Sequence, residues 1–471
     1  NETTNPNPSG AGFHIDPVLE FRATESSGIS VMVKEAIPAG RILLFIPDQE
    51  RISLLYSPSS LKPFLTEIHT KFQARKDVFI GHDVGTLDHM YHGSDVMLPL
   101  HILYGIVHDN ETENSSFMRQ ITAVWPSPED LREQHDPLWR DDPSSHQMKD
   151  LLRGTYTLDT LQRYEKALRY AFDEIVLPSL QQSSKFSVAD FLPSMFQNEA
   201  RSEKENFWDA FWYAYTLVRS RAHEGRQRDE PEIIPLIDLI NGLPTNCGKP
   251  LINVDITKPS NDGGIPRTAI YATRDISKGE EIIISYGDIQ PSHFINKYGC
   301  LPLEVVQSLQ ASLDMVHMHV PPYLAPKDAL RAQACRNWQF PTTPERIERE
   351  YVFPLPADAL DTYRKCPILY GETDHLKGLR QFLTIGQLLD DEAVQINIDT
   401  GRLRAPNISS LKLAQLHLMV VDHALTTATS LSESTNEEDF QHAAAAAANH
   451  NYALATVYHA RICQRDTLAQ W

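Results

Sequence analysis

A mixed α+β protein, in which a β-rich fold is interrupted by helices and followed by an all-α C-terminal domain, is what three features of the 471 residues predict. Strand-like runs bounded by turn residues open the chain and return between Ile233 and Tyr286. Between them the apolar spacing changes to the i, i+3, i+4 pattern of helices. Beyond Leu301 that helical spacing persists to the end.

Residues 1–10, rich in Asn, Thr, Pro and Gly, bury too little to offset the entropy of ordering and are expected to form a loose tail. The β-type runs 29–33 and 41–46 flank Ile37-Pro38-Ala39-Gly40, whose Pro and Gly mark a turn, and the three together predict a hairpin. Leu161, Tyr164, Leu168, Ala171 and Ile175 predict a helix with Asp159 or Thr160 as N-cap and Pro178 as its stop. Phe207, Phe211, Ala214 and Val218 predict a second one ending near Arg221. Strands are expected at 233–240, at 269–272, and at 281–286 behind the turn Ser277-Lys278-Gly279. Amphipathic segments follow at Leu376, Leu379 and Leu383, at Leu413, Leu416 and Val420, and at Leu454, Val457 and Ile462, and the six alanines Ala443 to Ala448 have the best helix propensity available.

The 62 acidic against 43 basic residues, a formal charge of −19, exclude a protein built chiefly to neutralise phosphates. A basic protein partner suits that field, or the charge serves solubility alone, and both readings stay open. The five cysteines, Cys247, Cys300, Cys335, Cys366 and Cys463, form no CxxC or CxC pair for a metal, which points to a reducing compartment. No run approaches the ~20 apolar residues that cross a bilayer. A cytoplasmic or nuclear monomer is therefore expected, with no nucleic acid and no membrane. The first residue is Asn1 and not Met, so a processed leader, and with it a plastid or secretory compartment, stays open. Sequons at Asn1, Asn110, Asn114 and Asn407 are read as chance occurrences.

The GxSxG, HExxH, Walker A and GxGxxG signatures are missing from the sequence, and its 19 histidines show no metal-ligand spacing. Three separated segments remain. Glu25 to Gly40 places Gly28 ahead of a strand, where main chain can approach a ligand closely or simply turn. Ile234 to Asn241 is an apolar run ending in polar residues, among which Asp238 and Asn241 taken alone read as loop residues. Arg274 to Gly287 ends Ile-Ile-Ile-Ser-Tyr286-Gly287 and is followed, twelve residues after Tyr286, by Tyr298-Gly299.

In this order the three segments resemble the SET-domain methyltransferases, most closely the branch typified by the Rubisco large-subunit lysine methyltransferase. The resemblance spans almost the whole chain, including 158–178, 212–222 with Ser220-Arg221, and the final helix 452–466. It implies a SET domain over 11–97 and 226–302, split by a helical insertion (iSET) at 98–225 and followed by a helical substrate-binding domain at 303–471. It further implies S-adenosyl-L-methionine as cofactor, held by Ser27, Gly28, Ile29, Arg221, Asp238, Asn241, Gly242 and Tyr286. Tyr286 and Tyr298 are implied as catalytic, the latter beside the acceptor channel, and no metal is required.

Four positions depart from the family pattern. The second loop glycine is Ser30, the His after Asn241 is Gly242, the Phe after Ser-Arg-Ala is His223, and the Asn between the two tyrosines is Pro291. A lost Asn-His side chain removes a hydrogen-bonding group worth ~1 to 3 kcal/mol where nothing compensates. The resemblance implies a protein-lysine N-methyltransferase acting on a basic or lysine-bearing protein segment. Histidine methylation and a degenerate SET protein that only binds a partner are the alternatives, and Tyr298 leans toward lysine.

Overall fold

Residues 14–24, 28–47, 50–55, 57–74, 94–108, 121–134, 143–224, 231–245, 251–257, 267–287, 289–307, 316–319, 321–337, 352–355, 381–400, 410–427, 431 and 433–470 are described by a computed structural model. The chain divides into two units, one of Asn1–Arg140, Arg163–Ile289 and Lys297–Val305, the other of Asp141–Gln162, Gln290–Asn296 and Val306–Trp471. No helix among the described residues is long and apolar enough to cross a membrane.

In the first unit the described strands are β1 (His14–Ile15), β2 (Leu19–Thr24), β3 (Gly28–Val33), β4 (Ile42–Pro47), β5 (Ala222–Glu224), β6 (Pro231–Ile233), β7 (Gly242–Leu243), β8 (Val254–Thr257), β9 (Arg267–Ala272) and β10 (Ile284–Ser285). They form a four-stranded sheet in the order β1-β4-β9-β8 and the pairs β2–β3, β5–β6 and β7–β10. Strand β4 is paired on both edges, and because successive residues Leu43 to Pro47 are all buried, both its faces are covered and it reads as a near-continuous apolar run.

The expected hairpin of 29–33 with 41–46 is overturned. Strand β3 pairs with β2, from Leu19↔Val33 to Thr24↔Gly28, while β4 pairs with β1 and β9. The turn 37–40 is diverted by a remote partner: Ile37 and Ile276 exchange backbone hydrogen bonds of 2.9 Å each, and Asp275 Oδ1 accepts from Ala39 N at 2.9 Å. The other edge of β3 is taken by 280–282, through Val33 N to Glu280 O at 3.0 Å and Ile282 N to Val31 O at 2.8 Å.

The apolar run 233–240 is not one strand either. After β6 the chain passes Pro235, turns through Leu236 at φ +69°, and makes the single 3-10 turn Ile237–Leu239. Pro235 cannot donate to a ladder, and a leucine in so sparsely populated a backbone region costs ~1 to 3 kcal/mol. Of the expected strand 281–286 only β10 forms a ladder, parallel to β7. Val31, Val33, Leu43, Leu44, Ile46, Ile237, Ile240, Ile270, Ile282 and Ile284 belong to the core of this β region.

Helices Lys62–Ala74, Ser94–Val107 and Glu203–Arg221 share a second core of the same unit, with Phe64, Phe72, Leu100, Phe207 and Phe211 buried in it. The last helix starts with Ser202 and Glu205 in a reciprocal capping box. The helix expected at 161–175 starts earlier and does not stop at Pro178. It runs Tyr156–Ala171, where Thr155 Oγ1 accepts from Leu158 N at 3.2 Å. It then passes through the π turn Phe172–Val176 into Leu177–Gln182, with Pro178 in that first turn, where a missing N–H is tolerated.

The second unit is mainly helical, including Ser410–Thr427, Asn436–Ala448 and Tyr452–Gln470. The alanine run lies in the second of these, and Ala443 and Ala446 are buried with Ala455. Asp439, fully buried, accepts from Arg461 Nε at 2.9 Å and from Arg465, while Arg461 also reaches Leu151 O at 2.9 Å. An antiparallel pair, β11 (Val316–His319) with β12 (Val352–Leu355), departs from the purely helical expectation beyond Leu301. Leu376 and Leu379 lie outside the described residues.

Candidate functional site

The three segments singled out in the sequence meet in the first unit. Asn241 leaves the 3-10 turn and stands just before β7, where its Nδ2 donates to Glu281 Oε1 at 2.7 Å and lies 3.4 Å from both Ile29 O and Ser30 Oγ. Its carbonyl accepts from Ile284 N at 3.0 Å, and Leu243 O accepts from Tyr286 N at 3.0 Å. Gly28 and Ile29 begin β3, next to those contacts. Ser27 lies outside the described residues.

Arg221, the last residue of its helix, sends Nη1 to Asp238 O at 3.1 Å and Oδ2 at 3.4 Å. Trp125 Nε1 donates to the same carboxylate at 2.9 Å. Burial raises the Asp238 pKa, and the Arg221 charge and the Trp125 hydrogen bond oppose that rise only in part. Asp238 thus holds Arg221 in place. Arg221 Nε is buried and has no hydrogen-bond partner among the described residues, a donor whose burial costs about 1 to 3 kcal/mol until something accepts from it.

Tyr286 follows β10 and packs partly buried against the β core. Its hydroxyl donates to Ile240 O at 3.3 Å. Its ring lies face to face with that of Tyr298, centroids 4.4 Å apart and planes 8° from parallel. Tyr298 ends the helix Pro291–Tyr298, where Pro291 takes the first position, a place that needs no N–H. Burial raises the pKa of both tyrosines, so both hydroxyls stay protonated at neutral pH. Gly242 sits against the Tyr286 ring, too close for any Cβ.

The structure therefore brings Ile29, Asn241, Gly242, Tyr286 and Tyr298 into one connected cluster and ties Arg221 to Asp238 two turn residues upstream of Ile240. Three supporting side chains went unnamed in the sequence reading. Glu281 accepts from Asn241. Asn253, fully buried, clasps the same segment through Nδ2 to Glu281 O at 2.7 Å and Oδ1 from Ile283 N at 2.9 Å. Trp125 reaches Asp238 from 113 positions away. Of the departures, Ser30 is buried beside Asn241, and His223 faces Glu232 across β5 and β6. Among the described residues no group of three His, Cys, Asp or Glu side chains could hold a metal ion.

Residues 28–287 match the SET domain, so the chain belongs to the SET-domain family. Among solved structures, the SET domain of LSMT bound to MeLysine and AdoHcy superposes with a TM-score of 0.51 at 13% identity, covering 97% of this chain and 87% of that one. The same domain bound to Lysine and AdoHcy gives 0.51 at 14% identity, with 96% and 85% covered. Rubisco LSMT bound to AdoMet gives 0.51 at 13%, again with 96% and 85% covered. At that identity the likeness is one of fold. No curated protein matches the chain.

Proposed function

We propose that the chain is an S-adenosyl-L-methionine-dependent protein-lysine N-methyltransferase. The observation that carries this reading is the meeting of the Ile29 main chain, the Asn241 amide and the Tyr286–Tyr298 pair in a chain of the SET family. The donor set fits the amino-acid end of the cofactor. The buried Arg221 Nε, without a partner among the described residues, suits a carboxylate, and the Ile29 carbonyl and the Glu281 carboxylate suit an ammonium group.

The cofactor supplies an electrophilic methyl group on a sulfonium sulfur. A lysine amine accepts it only when neutral, and with a reference pKa near 10.4 that costs roughly 4.6 kcal/mol at pH 7. Beside the stacked Tyr286–Tyr298 pair, an acceptor amine loses water and its pKa falls. The neutral Tyr286 hydroxyl holds the nitrogen in line, and the Tyr298 ring limits the room around it. Most of the acceleration comes from positioning two reactants. In this reading residues 98–225 are the helical insertion of the SET fold, and 303–471 receive a protein substrate with a basic, lysine-bearing segment.

The test is incubation with methyl-labelled cofactor and a lysate of the source, with the labelled residue mapped by mass spectrometry. Label on lysine is expected. Label on histidine or arginine would overturn the acceptor, and no label together with no cofactor binding would leave a degenerate SET protein, the reading that Gly242 in place of His favours.

A further inference from the structure

Gly242 lacks what the Tyr286 ring occupies. An ideal Cβ at 242 would stand 2.5 Å from Cδ1 and 2.6 Å from Cζ of Tyr286, where carbon atoms need ~3.5 to 4.0 Å. The backbone there does not have the positive φ found at Gly279 or Gly287, so space and not conformation demands the glycine. Nor can the main chain retreat, because the Ile284 N to Asn241 O and Tyr286 N to Leu243 O bonds, each 3.0 Å, pin β7 to β10 on both sides of it. The Tyr286 ring is stacked on Tyr298, and its hydroxyl is tethered to Ile240 O two residues before the glycine. One tyrosine is thus held by a Cβ-free seat, an aromatic lid and a carbonyl tether.

We infer that Gly242 is a positioning residue for Tyr286: the missing Cβ sets where the ring lies and hence where its hydroxyl points. The catalytic consequence rests on the methyltransferase reading, while the seat itself does not. A methyl group at 242 forces the ring off Tyr298 and turns the hydroxyl away from Ile240 O. The N–H and C=O of residue 242 remain, so cofactor binding is largely kept.

The experiment combines a stability cycle with a spectroscopic readout. Gly242→Ala is compared with wild type, and the same change is made in a Tyr286→Ala background. Gly242→Ala should lower the melting temperature by several degrees in the wild-type background and leave it nearly unchanged beside Tyr286→Ala, where the space is free. Equal losses in both backgrounds would overturn the seat, as would a double variant that fails to fold where Tyr286→Ala folds. If Gly242→Ala alone does not fold, a double variant that melts with Tyr286→Ala supports the seat. In protein labelled with 3-fluorotyrosine, the resonances lost in Tyr286→Phe and Tyr298→Phe should both move in Gly242→Ala, and unmoved resonances would overturn the inference. Turnover should fall on the order of 10²-fold with less than about a threefold change in cofactor KM, and wild-type turnover would remove the positioning role. A wild-type protein without methyl transfer would count against the proposed function, while the melting cycle and the fluorine spectra would still decide the seat.

Discussion

Tyr286→Phe keeps the ring on its seat and in its stack and deletes only the hydroxyl that donates to Ile240 O. We expect the variant to fold with a loss of about 1 kcal/mol of stability for that bond, to bind cofactor as before, and to lose turnover on the order of 10²-fold or more, measured with saturating labelled cofactor. Burial holds both tyrosine hydroxyls above their ordinary pKa, so neither ionises below pH 10. The rate should therefore rise with pH up to the apparent pKa of the bound lysine amine, and a profile flat from pH 6 to 9 would remove amine deprotonation from the rate. Glu281 is the acceptor that fixes the Asn241 amide, and Glu281→Ala should weaken cofactor binding by ~1 to 3 kcal/mol in a titration while leaving Tyr286 in place. Tyr286 and Asn241 were singled out through the resemblance of their segments to SET domains, since the end of an apolar run taken alone reads as a loop. Glu281, Asn253 and Trp125 were not, since each does its work on a partner 40, 28 or 113 positions away, a separation at which local pattern carries no signal.

Elements were read best where their periodicity decided them and worst where a distant edge did. The helix Glu203–Arg221 ends where its apolar spacing ends, and the alanine run lies in the helix Asn436–Ala448. The β3–β4 hairpin failed because the turn 37–40 bonds to the matching turn 276–279, and because β2, with Leu19 buried and Glu20 and Arg22 outside, went unread. The helix Ser94–Val107 yields an element-scale prediction. Its His101 is buried, and burial pushes the imidazole pKa down to about 4, against a smaller opposing effect of the Ser53 carbonyl. In the unfolded chain it titrates near 6.5. The unfolded state thus binds the extra proton between those values, so this contribution to stability is complete above about pH 6.5 and is lost as pH falls toward 4. The loss amounts to about 2 kcal/mol between pH 7 and pH 5. Urea unfolding of His101→Gln should show a slope over that range flatter by about this amount, and an unchanged slope would assign the acid sensitivity elsewhere.

Across the whole molecule, the mixed helix–strand class follows from the periodicity and the family from three short segments kept in order, which the fold brings together from remote parts of the chain. The charge of −19 acts at this scale as well. If the substrate segment is basic, its KM should rise several-fold, on the order of a few times, from low to physiological salt while the cofactor KM stays nearly constant, as screening weakens long-range attraction. A salt-independent KM would confine the charge to solubility. The most direct measurement is a calorimetric titration of the purified protein with S-adenosylmethionine, repeated on Asn241→Ala. Saturable binding at one site, weakened by ~1 to 3 kcal/mol in the variant, is the predicted result. No heat and no thermal shift in the wild type would contradict both the cofactor site and the enzyme.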